Sequence, residues 1–273
     1  MTTATTGASP EAAPEDDLLL ERRGPILILR LNRPESRNAL TGELASDLGA
    51  ALIDAENDPD IRAVVLTATG DRAFCVGMDL KVFSSGVKRE RTDRQKAGIV
   101  AFRRMIRGEI KVPLIGAANG TAVGGGFELL LSCDLVVLAA KGKYGLPEVK
   151  RGLIASGGGV VYLGTRLPLA LALELALTGD YVDGTRAQAL GLANRVVPAE
   201  QVLDEALALA TSIAANGPLA VEATKQAVRL AAGETTAIFD RLSELEKVVF
   251  ATDDAKEGAR SFIEKRAPQW KGR

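Results

Sequence analysis

The stretch ANGTAVGGGFELLLSCD, Ala118 to Asp134, follows an apolar run, Pro113 to Ala118, that reads as a buried strand. Three consecutive glycines, Gly124 to Gly126, break the chain; Phe127 to Cys133 then starts a helix, and Leu135 to Leu138 reads as the next strand. Working outward, the same theme occurs twice upstream. Leu18 to Glu21 and Ile26 to Leu31 read as paired strands around Arg22-Arg23-Gly24-Pro25, and Leu44, Leu48, Leu52 and Ala55 then recur at helical spacing. The β-branched run from Ala63 to Thr67, a turn at Gly70 and the strand Ala73 to Val76 precede a charged helix near residues 92 to 109. Repeated strand-strand-helix units point to a stacked α/β spiral rather than a doubly wound sheet.

From about Ala199 the pattern turns purely helical, over Val202 to Ala215, Pro218 to Ala231, Ala237 to Val249 and Asp253 to Phe262. The expected organisation is therefore a tail over residues 1–16, a spiral core with the active site over 17–209, and a helical oligomerisation subdomain over 210–273.

Composition narrows the chemistry. Hydrophobic residues make up 47% of the 273 but aromatics only 4%, so the core must be built from Ala, Val, Leu and Ile. Histidine is absent, which excludes a Ser-His-Asp triad, a Cys-His pair and a His-ligated zinc. Acid-base work must fall to carboxylates, Lys, Tyr or Cys. The formal net charge of −1 removes the whole-chain positive field that nucleic-acid binding uses. Two cysteines, Cys75 and Cys133, read as reduced thiols, so a cytoplasmic location is expected. The first sixteen residues resemble neither a signal nor a transit peptide and read as a disordered tail. No run approaches the roughly 18 apolar residues a membrane span needs, so no membrane partner is expected.

Gly124 to Gly126 place unpaired backbone N–H groups at the positive end of a helix, a setting that stabilises an oxyanion; a tight turn with close packing is the plainer reading. Glu128 follows in the first helical turn among Phe127, Leu129, Leu130 and Leu131, where it can simply complement the dipole. Twenty residues on, Glu148 lies in the loop-like Tyr144-Gly145-Leu146-Pro147-Glu148. A strand returning beside the helix can bring the two carboxyls together, and such a pair cannot ionise twice cheaply, which yields one acid and one base. The alternative is a solvated Glu148 paired with Lys150 or Arg151. Around Ala73 to Lys81 a strand ends at Gly77, and the Met78 N–H is a second oxyanion donor, or merely part of a strand end with Asp79 as a cap. Arg33, Arg37 and Lys81 can meet phosphates or serve as surface charges.

Taken in this order, the segments resemble the crotonase superfamily of coenzyme-A thioester enzymes from about residue 18 onward. LNRPESRNAL (Leu31 to Leu40) looks like its first CoA-contacting loop, AFCVGMDLK and ANGTAVGGGFELLLSCD like its two oxyanion loops, YGLPEVKRGL like its acid-bearing loop, and SFIEKRAPQW (Ser261 to Trp270) like its C-terminal ending. The resemblance implies an α/β fold, a crotonase-type spiral of repeated ββα units with a C-terminal α-helical subdomain. It makes the Met78 and Gly125 amides the oxyanion hole and Glu128 and Glu148 the catalytic pair. In the family's usual assignment Glu128 orients and deprotonates water while Glu148 handles the α-proton. Ser36, Arg37, Asp79, Leu80 and Lys81 fall where the family touches nucleotide and pantetheine, and Phe262 and Lys265 match positions that reach a neighbouring subunit's CoA.

The implied activity is an enoyl-CoA hydratase that adds water syn to a trans-2-enoyl-CoA. It needs no metal and no cofactor, CoA being part of the substrate, and works as a homotrimer or as a hexamer of paired trimers. A carnitinyl-CoA dehydratase or an enoyl-CoA isomerase is the alternative, and an RNA-binding or scaffold homologue is the non-enzymatic one. Two departures leave acyl chain and substrate identity open: Ile154-Ala155-Ser156 precedes Gly157-Gly158-Gly159 where the family often has proline-glycine, and Met78 replaces a more usual alanine.

Overall fold

A computed structural model describes residues 16–79, 91–233 and 236–271. The expected tail lies almost wholly outside these residues, as do Leu80 and Lys81. Strands β1 (Leu18–Arg23) and β2 (Ile26–Leu31) form an antiparallel pair, with Leu18 opposite Leu31. Gly24, at φ +56°, turns the chain between them. Helix α1 (Gly42–Asn57) follows, its first turn capped by the Thr41 side chain, which accepts from the Leu44 N–H.

Strands β3 (Ala63–Ala68), β5 (Leu114–Ala118), β7 (Leu135–Ala139) and β9 (Arg195–Val197) add to β2 in parallel. The large sheet therefore runs β1-β2-β3-β5-β7-β9. Between its strands the chain supplies β4 (Ala73–Cys75), β6 (Thr121–Val123) and β8 (Tyr144–Gly145) to a second, three-stranded parallel sheet. Each of the two successive units β3-β4 and β5-β6 thus gives one strand to each sheet and then a helix: α2 (Asp93–Ile106) after β4 and α3 (Gly125–Ser132) after β6. This is the spiral of ββα units expected from the sequence.

Alternation along the strands of the large sheet explains how both of its faces are filled. Leu29, Leu31, Val64, Leu66, Leu114, Val136 and Leu138 enter the main core with α1 to α3. Their neighbours Ile28, Ala63, Val65, Ile115, Ala117 and Val137 face the other way and pack on Val202, Ala206 and Ala210. Those three residues lie on a helix far along the chain. Before it come three helices, α4 (Gly159–Arg166), α5 (Leu169–Thr178) and α6 (Gly184–Ala189). Helix α7 (Val202–Ala214) then covers the sheet, so position 209 falls inside an element of the core.

Helices α8 (Pro218–Ala231), α9 (Thr236–Phe250) and α10 (Asp253–Glu264) complete the chain. Asp134, at the start of β7, anchors α8 through Lys225 at 2.7 Å and Arg229 at 2.8 Å. Helix α10 lies against the segment that carries Glu148: a Cβ added to Gly258 would sit 1.9 Å from the Arg151 carbonyl oxygen. No single helix among the described residues is long and apolar enough to cross a membrane.

Candidate active site

Gly124 has φ +58° and ψ −136°, a conformation open to glycine, and it turns the chain from β6 directly into α3. Its carbonyl accepts from the Phe127 N–H at 2.8 Å and the Glu128 N–H at 3.0 Å, whereas the Gly125 N–H has no acceptor among the described residues. Gly126 lets the helix approach β4, since a Cβ there would lie 2.1 Å from the Cys75 carbonyl oxygen. Every side chain from Phe127 to Ser132 is buried. Glu128 is the one carboxylate among them.

Its charge is met by a segment not expected to contact it. Glu128 Oε1 accepts from the Gly159 N–H at 2.9 Å, and the Gly157 N–H adds a second bond. A Cβ on Gly157 would fall 2.6 Å from Oε2. Gly157-Gly158-Gly159 therefore wraps the carboxylate with the N-terminus of α4, which favours negative charge. The signal in sequence was a second run of three glycines ahead of Val160 and Val161.

The other carboxyl arrives from β8. Leu146 is buried, and a short 3-10 helix, Pro147–Arg151, ends at Gly152 with φ +64°. Glu148 is half-buried; its Oε1 lies 3.3 Å from where a Cβ on Gly124 would be, so the carboxyl sits over the start of α3. Its Oε2 is buried with no hydrogen-bond partner among the described residues. Of the two partners a surface Glu148 would take, Lys150 binds Asp180 instead, at 2.7 Å. Arg151 places its guanidinium 4.5 Å from the centre of the Phe262 ring.

Burial raises the Glu128 carboxyl well above the ordinary carboxylate range, and the charge of Glu148 raises it further; the Gly159 and Gly157 N–H groups pull it back. Burial also raises Glu148, against its own backbone N–H and the charge of Arg151. Two such groups within electrostatic reach hold a proton between them at neutral pH.

The Met78 amide joins this group. Gly77, at φ +87°, carries the chain past α3; a Cβ there would meet the Gly125 nitrogen at 3.0 Å, and one on Gly125 would lie 3.8 Å from the Met78 nitrogen. Leu40 fixes the segment from the other side, donating to the Gly77 carbonyl at 2.8 Å and accepting from the Asp79 N–H at 2.9 Å. The Met78 N–H has no acceptor among the described residues. Met78, Gly125, Glu128 and Glu148 are thus gathered around Gly124.

The expected nucleotide contacts are arranged differently. Asp79 does not present an open carboxylate: Arg33 binds it at 3.3 Å, while Arg33 also reaches Asp17 at 3.2 Å. The Ser36 hydroxyl donates to the Arg33 carbonyl at 3.1 Å, so both side chains brace the loop that was expected to use them on substrate. Arg37, at φ +55°, is exposed. Buried Asn38, unnoticed in the sequence, is the keystone: its Oδ1 accepts from the Arg33 N–H at 2.8 Å, and its Nδ2 donates to the carbonyls of Thr69 and Ala73 at 3.0 and 2.9 Å. Phe262 is half-exposed on α10, and Lys265, at φ +54°, caps that helix.

Residues 21–273 match the model of the enoyl-CoA hydratase/isomerase family. Enoyl-CoA hydratase EchA19 of Mycobacterium tuberculosis is 39% identical over 97% of this chain and 100% of its own length. Carnitinyl-CoA dehydratase of Proteus mirabilis is 35% identical over 94% of this chain and 98% of its own. Among solved structures, carnitinyl-CoA hydratase from Mycobacterium avium superposes with a TM-score of 0.87 at 40% identity, covering 95% of this chain and 100% of that one. Fold, sequence and family model agree: this chain is an enzyme of the enoyl-CoA hydratase/isomerase family.

Proposed function

We propose that the enzyme hydrates trans-2-enoyl-CoA thioesters to 3-hydroxyacyl-CoA. The observation that carries this reading is the pair of buried carboxyls, Glu128 held by two amides and Glu148 with one oxygen unpartnered, beside the open N–H groups of Met78 and Gly125. The thioester oxygen takes both N–H bonds. Each donor aimed at the developing negative charge contributes about 2.7–4 kcal/mol. A water between the carboxyls loses a proton to the ionised member of the pair as its oxygen bonds to the β-carbon. The π electrons move onto the thioester as an enolate, and the protonated member delivers its proton to the α-carbon, so addition occurs on one face. In this scheme the acid, the base and the oxyanion donors all come from the chain, and the reaction draws on no metal and no cofactor.

A quaternary-ammonium substrate, crotonobetainyl-CoA, is the second reading, favoured by the relatives named carnitinyl-CoA dehydratase. The chemistry at the two glutamates is the same for it. Assembly into a homotrimer or a hexamer of paired trimers belongs to the proposal, supported by Leu169, Leu173 and Leu177, which stand exposed one turn apart along α5. A cytoplasmic location is supported by Cys75 and Cys133, both free and buried.

The test is turnover of crotonyl-CoA and a longer homologue by wild type, Glu128→Gln and Glu148→Gln. Each substitution is expected to lower kcat by about 10² to 10⁴. Turnover surviving both changes overturns the proposal.

A further inference from the structure

The turn that carries Glu148 is covered from outside by the last described residues of the chain. Helix α10 ends at Lys265, and the Arg266 N–H donates back to the Ser261 carbonyl at 3.1 Å, so the chain reverses there. It then runs back along the helix it has just left. The Arg266 guanidinium takes both carboxylate oxygens of Glu257, and the Gln269 N–H donates to the same group at 2.9 Å. The Lys271 N–H donates to Asp254 at 2.6 Å. Two carboxylates of α10 therefore fix the segment from Arg266 to Lys271, one of them through a bidentate pair that admits little freedom of orientation.

That path sets Trp270, the sole tryptophan of the chain, against Gly152. A Cβ on Gly152 would lie 3.1 Å from Trp270 Cζ3 and 2.6 Å from the Asp254 carbonyl oxygen, so the residue is pinned between the indole and α10. Gly152 is what closes the Glu148 turn. At φ +64° it ends the 3-10 helix, with its N–H directed at the carbonyls of Glu148 and Val149, and the neighbouring Leu153 N–H donates to the Glu148 carbonyl at 3.1 Å. Since Glu148 Oε2 has no hydrogen-bond partner among the described residues, the aim of the carboxyl depends on the backbone of this turn.

We propose that Trp270 is a positioning residue for Glu148: pressed onto Gly152 by the folded-back tail, its indole keeps the 3-10 turn in the shape that holds the carboxyl over the start of α3. This rests on the hydratase reading, since it concerns one of the two carboxyls that reading uses. Trp270 acts through Gly152 rather than on substrate, so its effect falls on kcat and leaves KM nearly unmoved.

The experiment compares wild type with Trp270→Ala, Trp270→Phe, Glu257→Gln and, as a control on the outer face of α9, Glu244→Gln, a residue paired with Arg241. In Trp270→Ala, kcat for crotonyl-CoA is expected to fall about tenfold with KM changed by less than about threefold. Amide hydrogen exchange over residues 148–153 is expected to quicken by about tenfold, while that of α1 stays as in wild type. Trp270→Phe keeps a ring on Gly152 and recovers most of both; Glu244→Gln matches wild type throughout. Glu257→Gln frees the tail without removing the indole, so acrylamide quenches the tryptophan more strongly and kcat falls in step. Unchanged kcat or unchanged exchange in Trp270→Ala overturns the inference, as do equal losses in the Ala and Phe variants. Where Trp270→Ala does not fold, Glu257→Gln decides by the same two readouts. A wild type that hydrates no enoyl-CoA sinks the hydratase reading instead, while the exchange measurement, which needs no substrate, still decides whether Trp270 holds the turn.

Discussion

The Gly159 N–H meets Glu128 Oε1 at 2.9 Å, so the carboxylate projected by the first turn of one helix is held by the first residue of another. Gly157 completes the hold and leaves no room for a side chain, a Cβ there lying 2.6 Å from Oε2. The obstructing atom is the far end of a flexible side chain, so Gly157→Ala is accommodated by moving the carboxylate rather than the backbone. Near-normal stability with a large loss of kcat is the expected outcome, about 10²-fold if the carboxylate shifts by an ångström. Paired denaturant melts and steady-state kinetics check this; full activity at full stability refutes the clasp.

Glu128 also makes the fold pH-dependent in a defined sense. Its carboxyl titrates higher in the folded chain than the 4.5 of an ordinary glutamate, so the native state binds the proton more tightly than the unfolded one. Stability from this group is fully present below the unfolded value and is lost as pH climbs through the folded one. Glu128→Gln removes the titration while keeping an oxygen for the Gly159 N–H. The variant, though inactive, is expected to be more stable than wild type at about pH 9 by at least about 1.4 kcal/mol, the worth of one pKa unit, with the advantage shrinking toward pH 5. Thermal melts across that range measure it, and a constant difference would count against the buried-proton account.

How far the chain could be read depended on whether the information was local. The strand pair ending at Leu31, helix α1 and the C-terminal helices were legible because apolar spacing alone defines them. Strands β6 and β8 were not, being only three and two residues long and stabilised by neighbours from other repeats. Helix α5 was missed because Leu169–Thr178 is apolar all round and shows no face. At the site, the two glutamates and two amides were open candidates on their residues alone, and the resemblance of the whole set of loops to the crotonase superfamily is what singled them out. Their environment did not: that Asp79 is spent on Arg33, that Lys150 turns to Asp180 and that Gly159 finds Glu128 are all contacts between distant segments.

Asn38 ties the Arg33 loop to the ends of β3 and β4 through three hydrogen bonds, in a left-handed backbone that asparagine tolerates better than most residues. In Asn38→Ala, a buried carbonyl, a half-buried one and one N–H lose their partner. A loss of about 1–3 kcal/mol is expected, together with a rise in KM for acyl-CoA, because the same loop bridges through Leu40 to Met78. Urea unfolding and saturation kinetics test the two effects separately. Loss of stability with KM unmoved would detach the loop from substrate binding.

Gly258 decides how closely α10 can lie on the loop of Glu148. A Cβ there would be 1.9 Å from the Arg151 carbonyl oxygen and 2.4 Å from its carbonyl carbon, backbone atoms that cannot rotate away. On the facing side Gly152 is equally constrained, a Cβ there lying 2.6 Å from the Asp254 carbonyl oxygen. Gly258→Ala therefore lifts the helix from the 3-10 turn and frees Glu148, while the two sheets, packed on α1 to α3 and α7, keep their core. Expected are a fall in kcat of at least about tenfold and faster proteolysis confined to the C-terminal segment. Gly164→Ala is the matched control: its Cβ meets nothing within 4 Å and sits inside α4, where alanine raises helix stability by about 1 kcal/mol. If both variants keep wild-type turnover and protease resistance, α10 is not what holds Glu148 in place.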